Sequence, residues 1–188
     1  MHEDIKKAKQ TLEQGGVICC PTDTIWGLSC DATNKEAVEK LFKIKNRNSS
    51  KSMLILVDDI GKVPSYIKEM PDIAYDLLEA SDKPLTLILP DAKNIAENLI
   101  AEDGTIGIRV VADHSWLSKL LKQFKKPIVS TSANFSGAPS VQFFDEIDEE
   151  LLEKVDYIAE YGRDDNSKNE ASSIVKLGAG GEIEILRH

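Results

Sequence analysis

The chain has 188 residues, 41% hydrophobic and 29% charged, which suits a single soluble domain with a sizeable core. Its formal net charge of −9 argues against a general nucleic-acid binder, whose affinity rests on a basic surface. No apolar run reaches the roughly 20 residues of a membrane span, and the N-terminus lacks a secretory apolar core, so a cytoplasmic, membrane-free protein is expected.

The first segment, "MHEDIKKAKQTLEQGG", reads as an amphipathic helix with Ile5, Ala8 and Leu12 on one face, stopped at Gly15-Gly16. "VICC" is a strand, broken at Pro21, and "IWGLSC" is a second extended piece. Asn34 caps a helix over roughly 35–45, with Ala37, Leu41 and Phe42 inward. "SMLILV" is a strand covered on both faces; "PDIAYDLLEAS" is helical, "PLTLILP" extended, "NIAENLI" helical and "TIGIRVV" extended. "HSWLSKLLKQF" is then helical, "KPIVST" extended, "DEIDEELLEKV" helical and "DYIAEY" a strand. "ASSIVKL" and "EIEILR" close the chain as strands joined by the hairpin turn "GAGG". Alternating elements without a linker predict one α/β domain, with helices packed on a sheet. The polar stretch 162–170, "GRDDNSKNE", is the candidate lid loop.

Three constellations carry candidate chemistry. "KIKNRNSSK" places Lys43, Lys45, Arg47 and Lys51 together with no acid among them. The helix macrodipole accounts for Lys43, whereas the other three run on into a Ser/Asn-rich loop suited to phosphate oxygens. "STSANFSGAPS" follows a strand end, where α/β sheets present ligands, although a hydrophilic turn is the competing reading. Arg109 lies inside the apolar strand "TIGIRVV", so it either faces water at an edge or pairs inside a cavity. Cys19, Cys20 and Cys30 read as buried free thiols, and the acidic pairs Asp58-Asp59 and Asp164-Asp165 as cap or loop residues. No P-loop is present, and His2, His114 and His188 give little support to a triad or a zinc site. Cations, hydroxyls and backbone amides without a strong base are the equipment of phosphoryl or nucleotidyl transfer.

In order, "PTDTIWGL", "KNR" with Lys51 following, "KPLTLILP", "TIGIRV", "STSANFSG", "ASSIVKL" and "ILR" resemble the YrdC/TsaC family, the L-threonylcarbamoyladenylate synthases. The resemblance implies a YrdC-like fold over 1–188: a mixed α+β domain, its twisted sheet flanked by helices around a basic concave cavity. It looks like the single-domain form, without the extension of longer relatives. It also implies the activity: L-threonine and bicarbonate form a carbamate that attacks the α-phosphate of ATP, with Mg²⁺ accompanying the triphosphate. Threonylcarbamoyl-AMP then passes to a transferase partner that modifies tRNA.

By motif position, the resemblance assigns catalysis to Lys45 and Arg47. It assigns ATP binding to Arg47, Lys51, Thr105, Ser132, Asn134, Ser140 and Arg187, and threonine binding to Thr24, Arg109, Ser130 and Ser172 or Ser173. Departures from the family pattern are Trp26 for tyrosine, Asn48 for proline, Leu56 for a histidine of some relatives, and Ala171 and Lys176 for proline and aspartate. Two rival readings are a non-catalytic tRNA or double-stranded RNA binder and a carbamoyl-AMP-forming relative. The acidic charge weighs against the first, and the absence of acylphosphatase and zinc-finger segments against the second.

Overall fold

The computed structural model describes residues 1–46, 53–111, 115–167 and 171–188. Within them the chain runs α1 (His2–Glu13), β1 (Ile18–Pro21), β2 (Trp26–Ser29), α2 (Lys35–Ile44), β3 (Leu54–Val57), α3 (Asp72–Ala80) and β4 (Leu85–Leu89). It continues β5 (Ile106–Val110), α4 (Ser115–Phe124), β6 (Ile128–Ser132), α5 (Glu149–Leu152), β7 (Tyr157–Ile158), β8 (Ser173–Leu177) and β9 (Ile183–Arg187). The strands form one mixed nine-stranded sheet in the order β7-β1-β2-β6-β3-β5-β4-β8-β9. The mixed α/β architecture expected from the alternating periods is therefore present.

Local chemistry sets most boundaries. The Asn34 side chain accepts the Ala37 N–H at 3.1 Å and opens α2. Asn46, at φ 52°, ends that helix in the left-handed region that asparagine tolerates. Pro21 closes β1, since it has no N–H to continue the ladder. Gly162 (φ +78°) passes so close to Pro21 that a Cβ would sit 3.3 Å from its Cγ.

Two expected helices shrink. "NIAENLI" forms only a 3-10 turn over Glu97–Leu99, because Asn94 is left-handed and the flanking Ala96 and Ile100 are extended. The extended residues let Leu99 pack into the core. "DEIDEELLEKV" divides at extended Ile147 into a 3-10 turn, Phe144–Glu146, and the short α5, which Asp148 caps. A 3-10 turn over Ile60–Ser65, with Asp59 accepting the Gly61 N–H, has no counterpart in the periodicity reading.

Side chains alternate across a strand, so the pairing register assigns every strand residue to a face. One face carries Cys19, Leu28, Ile55, Ile108, Leu87 and Val175, buried beneath α2 and the Val63–Ala74 region. The opposite face carries Ile18, Cys20, Leu56 and Ile128, buried beneath α1 and α4. Burying each such Leu or Ile contributes about 1.5–3 kcal/mol. Burial also pushes up the three free thiols, Cys20 to about 12, and keeps them protonated and inert.

Asp4 ties α1 to the segment after β7. Its carboxylate accepts Trp116 Nε1–H at 2.7 Å, the Tyr157 hydroxyl at 2.5 Å, and the N–H groups of Glu160 and Tyr161 at 2.9 and 3.1 Å. Burial raises its pKa, and these four donors outweigh that and hold it below the ordinary value. A depressed carboxylate stabilises above its unfolded pKa of about 3.9, and that contribution drains away as pH falls through the lower folded value. Asp4→Asn turns an acceptor into a donor among donors and is expected to cost about 2–3 kcal/mol. Thermal melts at pH 7 should fall by roughly 5–10 °C, with the gap to wild type narrowing as the buffer is taken below pH ~4.

Candidate active site

The α1–α4 layer covers only part of its face of the sheet. Over the remainder, the same register brings Gly27, Ser130, Ser132, Leu54, Gly107, Arg109, Thr86, Ile88, Ile174 and Arg187 onto a common floor. All ten line one cavity of about 590 Å³. The polar residues that interrupt apolar strands are therefore the ones whose face lacks a helical cover. Gly27 keeps that floor low, since a Cβ there would lie 3.0 Å from the Thr131 carbonyl oxygen.

Arg109 is 4% exposed and sits on β5, between β3 and β4, so it is not an edge-strand residue. Its Nη2 lies 2.9 Å from Asp23 Oδ1, and its Nη1–H donates to Thr24 Oγ1 at 3.4 Å. The Asp23 contact is an ion pair without hydrogen-bond alignment, and the buried Arg109 Nε–H has no acceptor among the described residues. Burial pulls the guanidinium below its ordinary value; Asp23 opposes that shift and the like charge of Arg187 adds to it. The turn presenting these groups is closed by Thr22, whose hydroxyl donates to Ile25 O at 2.7 Å and accepts the Thr24 and Ile25 N–H groups.

At the β9 end of the floor, Arg187 Nε donates to Ser172 O at 2.8 Å and Nη2 to Ser172 Oγ at 3.2 Å. Ser172 Oγ is 2.9 Å from Thr86 Oγ1, so a hydrogen-bonded chain crosses the floor from β9 to β4. A β-bulge in the β8–β9 pairing brings Arg187 opposite Ile174 and lets both Leu186 and Arg187 border the cavity. Thr105 also lines it, with its hydroxyl held by Asp103 at 2.7 Å; Lys176 pairs with the other oxygen of Asp103. Two guanidiniums, several hydroxyls and no carboxylate among the lining residues make an anion-binding concavity inside an acidic chain.

Thr24, Thr105, Arg109, Ser130, Ser132, Ser140, Ser172 and Arg187, all expected in the site, converge on this cavity. Ser173 does not, because it follows Ser172 by one residue and pairs with Leu85 on the other face. Lys45 and Asn134 stand just behind the wall. The Lys45 ammonium donates to the carbonyls of Ser132 (2.6 Å) and Asn134 (2.8 Å), and its own carbonyl accepts the Ser136 N–H. The Ser132 hydroxyl bonds Asn134 Oδ1, whose amide reaches Ala138 O. Lys45 therefore braces the serine-rich turn from inside the protein, where it is 2% exposed. Arg47, Asn48 and Lys51 lie outside the described residues, as do His114 and residues 168–170.

Thr86, Thr131 and Gln142 also border the cavity. The sequence reading did not single out Thr86; the signal that could have found it is that it is the one polar residue in "PLTLIL", opposite Arg109 in register. Trp26 borders the cavity, but its ring packs on Phe144 with centroids 4.9 Å apart. Leu56 is fully buried under α1 and α4, away from the opening. Tyr161, Asp165 and Ser167 border a second cavity instead, about 790 Å³, which also takes in Asp23, Asp58, Asp59 and Asp82. Among the described residues no group of three or more His, Cys, Asp or Glu side chains converges as a metal site, and no helix is long and apolar enough to cross a membrane.

Known proteins resemble this chain in sequence and in fold. The chain is similar to the threonylcarbamoyl-AMP synthase of Pseudoalteromonas translucida, 35% identical over 156 residues, covering 81% of this chain and 83% of that one. It is also similar to the structure of P. abyssi Sua5 complexed with L-threonine, with a TM-score of 0.80 and 26% identity. That match covers 92% of this chain and 50% of the P. abyssi chain, so this chain spans half the length of that relative. E. coli YciO shares the fold at a TM-score of 0.85 and 23% identity, covering all of this chain and 90% of its own. The Sua5/YciO/YrdC model, described as telomere recombination, matches residues 10–188. With the fold, the motif order and that match in agreement, the chain belongs to the Sua5/YciO/YrdC family.

Proposed function

We propose that this protein is an L-threonylcarbamoyladenylate synthase, a nucleotidyltransferase that makes threonylcarbamoyl-AMP and pyrophosphate from L-threonine, bicarbonate and ATP. The observation that carries the reading is the cavity whose floor carries both Arg109 and Arg187 with hydroxyls between them. Similarity to proteins named for this product, and to one crystallised with threonine, supports it. Residues 1–188 are read as one catalytic unit working in the cytoplasm. A transferase consumes the product and modifies tRNA.

The threonine carboxylate docks on Arg109 beside Thr24 and Ser130, which leaves its amino group free to take up bicarbonate, with loss of water, as a carbamate. The carbamate oxygen attacks the ATP α-phosphorus, the bond to the β-phosphate oxygen breaks, and pyrophosphate departs. The nucleotide lies along Thr105, Ser132, Ser140 and Arg187, and the motif position assigns Arg47 and Lys51 to the same ligand. Lys45 and Asn134 hold that wall in shape, so positioning and charge neutralisation supply the rate. Among the described residues the lining carries no carboxylate, so magnesium would enter as a companion of the triphosphate, where it would neutralise phosphate charge.

Pyrophosphate release separates this reading from its rivals. The purified chain is expected to release pyrophosphate from ATP only when L-threonine and bicarbonate are both present. Release driven by carbamoyl phosphate without threonine would identify a carbamoyl-AMP former. Salt-dependent RNA binding without turnover would identify a binding module.

A further inference from the structure

The ion pair between Asp23 and Arg109 spans the wall between the two cavities. Arg109 lines the 590 Å³ cavity and not the other; Asp23 lines the 790 Å³ cavity and not the first. Thr22, two residues from Thr24 on the same turn, borders both. Asp23 thus approaches the guanidinium from behind, on the side away from the proposed substrate. Its approach at 2.9 Å neutralises a charge that is 4% exposed, without occupying the Nε–H, which has no acceptor among the described residues.

A buried arginine without a counter-charge is costly, and one with an in-line bidentate carboxylate would have its donors filled. This pair avoids both conditions. The charge is compensated by Asp23 from the second cavity, and one nitrogen is held near Thr24 on the lining of the first. The Thr22-centred turn carries Asp23 and Thr24 on consecutive positions, so one rigid element sets the guanidinium from two directions.

We propose that Asp23 is the positioning residue of the amino-acid site, aiming Arg109 at the substrate carboxylate through the partition between the cavities. The proposal rests on the threonine reading above and adds a residue to it. Asp23 acts through Arg109 and touches no substrate, so its loss should weaken recognition of the carboxylate and leave nucleotide recognition and the chemical step alone.

Steady-state pyrophosphate release by the full-length protein tests this. Asp23→Asn is expected to raise the KM for L-threonine about 10–50-fold, with kcat and the KM for ATP within about threefold of wild type. In an Arg109→Gln background the same change should alter the threonine KM less than about twofold, because the residue it acts through is gone. Asp23→Glu keeps the charge and shifts it by a methylene, so a smaller rise of about 3–10-fold is expected at an unchanged melting temperature. This second variant carries the test if Asp23→Asn does not fold. An unchanged threonine KM in both variants, a parallel rise in the ATP KM, or additive effects with Arg109→Gln would overturn the positioning role. Wild-type protein with no threonine-dependent release would instead defeat the threonine reading, and the proposal with it.

Discussion

Arg109→Gln is expected to lower kcat/KM for L-threonine by about a hundredfold to a thousandfold, the range for deleting one partner of a buried charge pair. The guanidinium is fixed by β5 at the middle of the sheet, with Leu56 and Thr86 as its neighbours in register. A glutamine there can donate to a carboxylate but supplies neither the charge nor the forked geometry. ATP affinity, measured by calorimetry without threonine, should stay within about threefold, because Arg109 is not among the groups assigned to the nucleotide. The variant also leaves Asp23 without its counter-charge, so a melting temperature a few degrees lower is part of the expectation. A threonine kcat/KM within about threefold of wild type would remove Arg109 from the amino-acid site.

Lys45→Met separates two roles for the basic run. Methionine keeps most of the stem volume and deletes the ammonium, which leaves the Ser132 and Asn134 carbonyls without their charged donor. Buried charge-assisted bonds of this kind are worth about 1.5–3 kcal/mol each, so a loss of about 2–4 kcal/mol is expected. The melting temperature should fall by roughly 5–15 °C, and pyrophosphate release should drop more than about tenfold as the Ser132–Ser140 wall loosens. A lysine that instead acted on the phosphates themselves would lose activity with its melting temperature intact. Alanine at Lys45 with wild-type pyrophosphate release would remove it from both roles.

The difference between those roles shows where sequence reading stopped. Lys45 was legible as part of a cationic run, but its direction depends on how α2 ends. That end is set by Asn46 in a left-handed conformation and by the Ser136 N–H bonding the Lys45 carbonyl. Both involve contacts that residue order alone does not reveal. Ser172 and Ser173 were equivalent candidates until the β4–β8 register put the second on the opposite face. Arg109 admitted an edge-strand reading until the strand order placed β5 between β3 and β4. Asp23 admitted two readings in the sequence, orienting backbone amides or lying near a metal, and its pairing with Arg109 was hidden because that partner lies on a strand far along the chain.

What was legible followed from local patterning. The apolar runs located the strands, Asn34 and Pro21 marked real boundaries, and the hydroxyl-rich exit of β6 lies in the cavity wall. The polar interruptions Arg109 and Ser130, and Thr86, which the reading passed over, share one face of the sheet. They mark the half of one sheet face that α1 and α4 leave uncovered, and that uncovered half is the floor of the cavity. "NIAENLI" failed for the converse reason: its helical period was real, but the packing of Leu99 favoured a single tight turn.

The most direct test of the whole account traces atoms into the product. Purified protein is incubated with ATP, carbon-labelled bicarbonate and separately labelled L-threonine, and the nucleotide fraction is resolved by mass spectrometry. The account predicts one new AMP adduct that carries both the bicarbonate carbon and the intact threonine, formed in step with pyrophosphate. An adduct that contains the labelled carbon without threonine, or pyrophosphate release with no adduct, would contradict it.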